Sequence, residues 1–157
     1  MSVVTREAAR SSASDGWPIE APLADAHYVD AFTAITPIAG SRTPREWAQQ
    51  ILESASFPMR VFLLVGWRCG LGFRLTRRNA VLGWPVLTES ADWVVLRQGS
   101  WLFEVALLMR VTDDQLTWST RVKHSSAVGR GTWCAVGRLH RRFAPRALRR
   151  AVNQSGG

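Results

Sequence analysis

The fold is decided near the end of the chain, where residues 129–152 read GRGTWCAVGRLHRRFAPRALRRAV. With successive residues placed about 100° apart, as in an α-helix, one stripe of this segment is mostly apolar. The stripe contains Trp133, Val136, Leu139, His140, Phe143, Ala147 and Ala151. The opposite side contains Arg138, Arg141, Arg142, Arg146 and Arg149. The pattern predicts a long amphipathic helix, kinked at Pro145, whose apolar stripe needs a partner surface.

That partner surface is predicted in the preceding residues, where apolar and polar side chains alternate. The alternation indicates strands over residues 81–88, 93–98, 101–111 and 115–123. Turns are expected between them at residues 90–92, 99–100 and 113–114. Consecutive hairpins of this kind form an antiparallel meander with one apolar face, and the terminal helix is expected to cover that face.

One strand and two short helices are predicted before the meander. Residues 26–36, AHYVDAFTAIT, are rich in β-branched and aromatic side chains and indicate a strand. Thr43, Pro44 and Glu46 have the spacing of a capping box, which predicts that a helix begins there. A second, mostly apolar helix is expected from Ser56 onwards. The sequence therefore predicts an α+β fold.

The length and composition indicate one small globular domain. A chain of 157 residues is long enough to bury a core without metals or disulfides. We assign residues 25–153 to the domain and predict disordered tails over residues 1–24 and 154–157. The stretch 57–75 contains three arginines and is not a membrane span. The first residues have no apolar core of a secretory signal, so a cytoplasmic location is predicted.

The two cysteines, Cys69 and Cys134, lie far apart and have no neighbouring ligands at metal-binding spacing. We therefore predict reduced, buried thiols, with no disulfide, metal or cofactor. Among the 20 cationic side chains Lys123 is the one lysine, which is typical of a bacterium with a GC-rich genome.

The net charge of +8 is concentrated at the C-terminal end, because no acidic residue follows Asp114. The basic side of the last helix has three interpretations. It could bind nucleic acid, but no recognisable reading module accompanies it. It could lie on an anionic membrane, which the opposed apolar stripe allows but which we do not favour. We favour the third interpretation, a solvated cationic surface on a helix that covers its own core.

The element order and the C-terminal segment resemble the bacterial family called domain of unknown function 2867, a member of the START-like, or helix-grip, superfamily. The resemblance covers roughly residues 25–152 and depends on several residues together. They are Gly129, Arg130, Trp133, His140, Arg141, Leu148, Arg149, Trp47 and the YVDAF segment at residues 28–32.

This resemblance implies a curved antiparallel β-meander wrapped around the long C-terminal helix. It also implies an apolar cavity of the kind that holds lipids, polyketides or hormones. Some members of the family are fused to a nucleotide-binding domain that resembles short-chain dehydrogenases. A separate enzyme as a partner is therefore conceivable for this chain.

A candidate ligand site follows from the aromatic residues of the predicted sheet face. Trp101, Phe103 and Trp118 are expected on that face, opposite Trp133 and His140 of the covering helix. The aromatic side chains could equally be core packing. His140 could orient a ligand oxygen, act as a general acid or base, or make a structural hydrogen bond.

Glu104 is the candidate polar group of the cavity, although the alternation leaves its direction open. It either faces solvent opposite Arg97 or Arg121, or points into the cavity.

These observations favour a domain that binds a small hydrophobic molecule, and they leave two alternatives. The first is a cyclase or isomerase that uses His140 together with Glu104. The second is a peripheral binder of anionic membrane or nucleic acid through the arginine side of the helix. No metalloprotease, paired-cysteine or nucleophile-elbow motif occurs in the sequence, so we predict no catalytic residue by motif.

Overall fold

A computed structural model describes residues 3–7, 23–53 and 79–156. Seven strands and two α-helices lie within these residues. In chain order they are β1 (Val3–Glu7), β2 (Tyr28–Ile35), α1 (Pro44–Glu53), β3 (Ala80–Val81), β4 (Trp84–Glu89), β5 (Trp93–Gly99), β6 (Phe103–Val111), β7 (Gln115–His124) and α2 (Ala127–Ser155). A short 3₁₀ turn over Ala39–Ser41 precedes α1.

The strands pair antiparallel in the order β1-β2-β7-β6-β5-β4-β3. Strands β4 to β7 are successive neighbours, so the predicted meander is confirmed. Strand β2 pairs with β7, which brings an early part of the chain beside the last strand. In this pairing Asp30 lies opposite Thr120, and Phe32 lies opposite Trp118.

The helix α2 packs against one face of the sheet, which we call the inner face. Leu107, Leu116 and Trp118 of that face share one core cluster with Trp133 and Leu148 of α2. Burial of such apolar side chains is the main source of stability in a domain of this size. The predicted covering helix is therefore confirmed, and so is the α+β class. Pro145 lies inside α2, which continues past it to Ser155.

The helix α1 begins as the capping box predicts. The Oγ1 of Thr43 accepts a hydrogen bond from the backbone N–H of Glu46 at 3.3 Å, and the Glu46 carboxylate accepts one from the N–H of Thr43 at 2.8 Å. Trp47 is fully buried and donates its indole N–H to the carbonyl of Ala39 at 2.8 Å. The predicted second helix, to which Trp67 was assigned, lies outside the described residues, and so does Cys69. Cys134 is exposed, so the prediction that its thiol is buried is wrong.

The first strand of the predicted meander is interrupted. The alternation predicts one strand over residues 81–88, whereas Leu82 and Gly83 form a two-residue turn between β3 and β4. Both turn residues have positive φ, 47° and 85°, as the hairpin turns that match strand twist require. Leucine is an unusual residue at such a position, and its apolar side chain made the segment look continuous.

The third predicted strand begins later than expected, which removes Trp101 from the inner face. The hydroxyl of Ser100 accepts the backbone N–H groups of Leu102 at 3.1 Å and of Phe103 at 3.4 Å. This local turn places Trp101 before β6 with 69 % of its surface exposed. The prediction that Trp101 lies on the apolar face is therefore wrong.

The ends of the chain also differ from the expected tails. Residues 3–7, which the sequence assigns to a disordered tail, form β1, with Val3 opposite Ile35. The helix α2 extends to Ser155, two residues beyond the predicted end of the domain. None of the helices described is long and apolar enough to cross a membrane.

Candidate functional site

Seven side chains form an aromatic and polar group between the inner face and α2, which we call the inner cluster. Its members are Tyr28, Asp30, Phe103, Trp118, Thr120, Trp133 and His140. Tyr28 and Asp30 are two residues apart in β2 and so point to the same face. Trp133 and His140 are seven residues apart in α2, about two helical turns, and share a stripe.

Asp30 is the central polar member of the inner cluster. Its side chain is 1 % exposed. Its Oδ2 accepts a hydrogen bond from the Tyr28 hydroxyl at 2.5 Å and lies 3.4 Å from Nε2 of His140. Its Oδ1 is buried and has no hydrogen-bond partner within the described parts of the chain. A buried carboxylate oxygen in this condition is costly, so the site has an acceptor that is available to a ligand.

The surroundings of Tyr28 in the inner cluster raise the pKa of its hydroxyl. Burial raises the pKa of the Tyr28 hydroxyl well above its usual range, and the hydrogen bond to Asp30 and its charge raise that pKa further. Arg141 acts in the opposite direction because a cation favours the phenolate. Tyr28 therefore remains a neutral donor to Asp30 throughout the physiological pH range.

The aromatic rings of the inner cluster contact one another in one connected group, which we call the aromatic wall. Trp133 meets Tyr28 edge-on at 5.2 Å and Phe103 at 6.0 Å between ring centroids. His140 lies 6.0 Å from Trp118 and 6.0 Å from Trp133. Three of these four pairs meet edge-to-face and the Trp133–His140 pair is tilted, and all four lie at distances at which aromatic rings attract each other. A flat apolar molecule would find a compatible surface here.

Several polar atoms of the inner cluster are buried without a hydrogen bond from any described residue. Besides Asp30 Oδ1 they are Trp118 Nε1, Thr120 Oγ1, Trp133 Nε1 and His140 Nε2, whose 3.4 Å contact with Asp30 Oδ2 is not a hydrogen bond. Native cores satisfy the great majority of such atoms, so five of them in one cluster need an explanation. Two indole N–H donors, a carboxylate acceptor and a hydroxyl are suited to a ligand that carries both a donor and an acceptor.

A small apolar pocket adjoins the inner cluster through Trp118. It has a volume of about 10 Å³. Its lining includes Ala48, Ile51 and Leu52 of α1 and Leu107, Met109 and Trp118 of the sheet. This space holds about one water-sized group. A larger molecule would therefore need α1 or the inner cluster to move.

Four of the predicted ligand-binding residues come together in the structure. Phe103, Trp118, Trp133 and His140 all belong to the inner cluster. Trp101 does not, since it lies in the turn before β6.

Glu104 lies on the other face of the sheet, where its carboxylate accepts the Nε of Arg97 at 2.7 Å. Of the two directions left open for Glu104, the structure shows the one opposite Arg97. The predicted pairing of His140 with Glu104 is therefore wrong.

Asp30, Tyr28 and Thr120 were missed as site residues, although one signal was available for Asp30. In β2, Asp30 alternates with Phe32, which is 2 % exposed, so the period of two places both on the inner face. A carboxylate at an inward position of a strand is unusual enough to mark a site.

The other two histidines lie away from the inner cluster. His27 and His124 stack with ring centroids 5.0 Å apart, and Nδ1 of His27 accepts the backbone N–H of His124 at 3.0 Å. Burial, and then the nearby His27 and Arg130, lower the pKa of His124. The described residues contain no group of three or more His, Cys, Asp or Glu that could hold a metal ion.

The fold and site define a class, an α+β domain with an antiparallel sheet covered by a long C-terminal helix. Comparison with family models, with curated proteins and with solved structures found no match. The resemblance to the domain of unknown function 2867 family is neither supported nor contradicted by them and remains a prediction.

Proposed function

We propose that this chain is a helix-grip domain that binds a small, mainly hydrophobic molecule between the inner face and α2. The observation that carries the proposal is the carboxylate of Asp30, which is buried in an aromatic wall with one oxygen unpartnered by the described residues. Binding sites for small molecules combine such apolar walls with a few convergent polar groups.

The chemistry of the inner cluster specifies the kind of ligand. Phe103, Trp118 and Trp133 suit a flat apolar body. Asp30 Oδ1 requires a donor on the ligand, such as a hydroxyl or an amine. The indole N–H groups of Trp118 and Trp133 require an acceptor, such as a carbonyl. The favoured ligand is therefore an apolar ring system that carries a hydroxyl or amine and a carbonyl group.

Entry of such a ligand requires a change in the structure. The pocket beside Trp118 has a volume of about 10 Å³, whereas sites for drug-sized molecules are larger by more than tenfold, at roughly 300 Å³ and above. The lining of this pocket by α1 indicates where the space can grow. Displacement of α1 from Leu107 and Met109 would extend the pocket towards the inner cluster.

Ligand screening by thermal shift and native mass spectrometry tests the proposal. The panel contains apolar ring compounds with and without hydroxyl, amine and carbonyl groups. We expect a bound compound of the disubstituted kind and a weaker complex, by about tenfold or more, for Asp30→Asn, because a hydrogen bond to a charged group is lost. Glu104→Gln is the matched control, since its carboxylate is on the other face.

Two results would overturn the proposal. The first is the absence of any binder in a panel of this breadth. The second is a binder whose affinity is the same for the wild type, Asp30→Asn and Trp118→Phe, because such a compound does not occupy the inner cluster.

A second candidate function, an enzyme, is supported by the Asp30–His140 pair. A carboxylate beside an imidazole is the arrangement of many general acid–base sites. If a bound compound is a substrate, its mass or its ultraviolet spectrum changes on incubation with the wild type and not with His140→Gln. A compound recovered unchanged from the wild type leaves binding as the function.

A further inference from the structure

A row of arginines on the exposed side of α2 has no role in the proposed ligand site. We call it the outer arginine face and define it as Arg138, Arg142, Arg146 and Arg149. Each of these side chains is exposed. Spacings of four, four and three residues align them along about 17 Å of one helix side. The sequence of α2, residues 127–155, contains no acidic residue.

The outer arginine face is not neutralised by the described part of the chain. The ion pairs of arginine and lysine described there join Arg45 to Glu89, Arg97 to Glu104 and Lys123 to Asp25, all outside α2. The carboxylate contact described for α2 is that of His140 with Asp30, on the side of the helix that faces the sheet. The guanidinium of Arg146 contacts the carbonyl of Arg142, which leaves both charges in place. Four aligned, uncompensated cations produce a positive potential that favours an anionic partner.

Two exposed apolar side chains lie at the N-terminal end of the same helix. The carbonyl of Leu102 accepts the backbone N–H of Ser125 at 3.0 Å, and Gly129 packs directly against it. Trp101 and Val128 adjoin these contacts in sequence and are 69 % and 60 % exposed. A cationic surface with an exposed tryptophan at its edge suits the water–lipid interface, where Trp side chains are enriched.

We propose that the outer arginine face, with Trp101 and Val128 at its end, docks the protein on an anionic lipid surface. Trp133, Ala147 and Ala151 of the apolar stripe of α2 are buried in the core, so the helix binds headgroups from outside the bilayer and does not insert. Each arginine near such a surface strengthens binding about fivefold. The exposed side chains of Trp101 and Val128 favour lipid as the partner, because nucleic acid would contact the arginines and leave these apolar side chains unused.

Flotation with phosphatidylcholine vesicles, with and without phosphatidylglycerol, tests this proposal. We expect the full chain to bind the vesicles that contain phosphatidylglycerol and not those of phosphatidylcholine only. Salt should release the bound protein, because salt screens exposed charges. Arg142→Gln/Arg146→Gln should bind roughly thirtyfold more weakly. The control Arg45→Gln/Arg110→Gln lowers the net charge equally, from +8 to +6, and should bind as the wild type does. Trp101→Ser should weaken binding without removing its salt dependence.

Three outcomes would overturn the proposal. The wild type fails to bind anionic vesicles, or the two double variants bind equally, or the chain binds short DNA duplexes and not vesicles. The last result would identify nucleic acid as the partner of the outer arginine face. Thermal melting shows that each variant is folded, so lost binding is not lost structure.

Discussion

Asp30 of β2 and His140 of α2 form a polar contact between the two layers of the fold, with Oδ2 of Asp30 3.4 Å from Nε2 of His140. The two side chains are 1 % and 13 % exposed, and aromatic rings surround them. Apolar contacts between a helix and a sheet tolerate small shifts, whereas a polar pair in such an environment favours one position. This contact therefore helps to define where α2 lies on the inner face.

The Asp30–His140 contact is expected to contribute measurable coupling to stability. In a double-mutant cycle of Asp30→Asn and His140→Gln, followed by urea unfolding at neutral pH, we expect a coupling of about 1 kcal/mol. The control cycle uses the exposed pair Arg45 and Glu89, with side chains 38 % and 44 % exposed, for which about 0.3 kcal/mol is expected. Equal coupling in the two cycles would contradict the structural role of the inner pair.

The titration of Tyr28 can be followed directly, because it is the single tyrosine of the chain. Burial and the hydrogen bond to Asp30 raise its pKa in the folded state. The folded protein should therefore show no tyrosinate absorbance at pH values near 10, where the unfolded chain in urea titrates. Far-UV circular dichroism verifies that the protein is still folded at each pH.

The same shift makes stability depend on pH. The unfolded chain releases the tyrosine proton above about pH 10 and the folded chain retains it, so the stabilisation is complete below that pH and declines as pH rises. Asp30→Asn removes the negative charge, leaves at most a hydrogen bond to a neutral amide, and should therefore move the pKa of Tyr28 part of the way back. Tyrosine titration at the same pH in the native protein and in urea would refute this assignment.

The capping box of α1 gives a test that is independent of the site. Thr43→Ala removes the side-chain acceptor for the N–H of Glu46 and should cost about 1 kcal/mol in the free energy of unfolding. Gln49→Ala is the control on the same helix, where Gln49 is exposed and a change within about 0.5 kcal/mol is expected. Chemical denaturation measures both, and a Thr43→Ala effect no larger than the control would count against the cap.

The architecture could be predicted because periodicity is a local property. Alternation over residues 103–111 and the helical stripe that includes Trp133 and Ala151 each require one buried face, and one layer then has to cover the other. The predicted strand boundaries are wrong where short-range hydrogen bonds of a side chain with the backbone override the alternating pattern. The hydroxyl of Ser100 accepts two backbone N–H groups, so β6 begins only after Trp101.

The site could be predicted only in part, because its polar members come from distant parts of the chain. The sequence placed Trp118, Trp133 and His140 correctly, since each lies on a face that the core requires. The sequence indicated Glu104 as the carboxylate of the site, although the alternation in this strand did not show which face of the sheet Glu104 occupies. Asp30 is 110 residues from His140, and only the pairing of β2 with β7 brings the two together.

Two glycines of α2 provide a matched pair that tests how the helix begins on the sheet. A Cβ at Gly129 would lie 1.9 Å from the carbonyl oxygen of Leu102, which is backbone and cannot rotate away. Gly129→Ala should therefore separate α2 from the turn before β6 and cost about 3 kcal/mol.

Gly131 has nothing within 4 Å of the same position, so Gly131→Ala should gain about 0.5–1 kcal/mol from helix propensity alone. Both variants replace a helical glycine by alanine. The difference between their free energies of unfolding in urea therefore measures the contact between Gly129 and Leu102. Similar stabilisation by the two substitutions would mean that Leu102 and Gly129 are not in contact. The placement of Trp101 near the N-terminal end of α2 would then lose its structural basis.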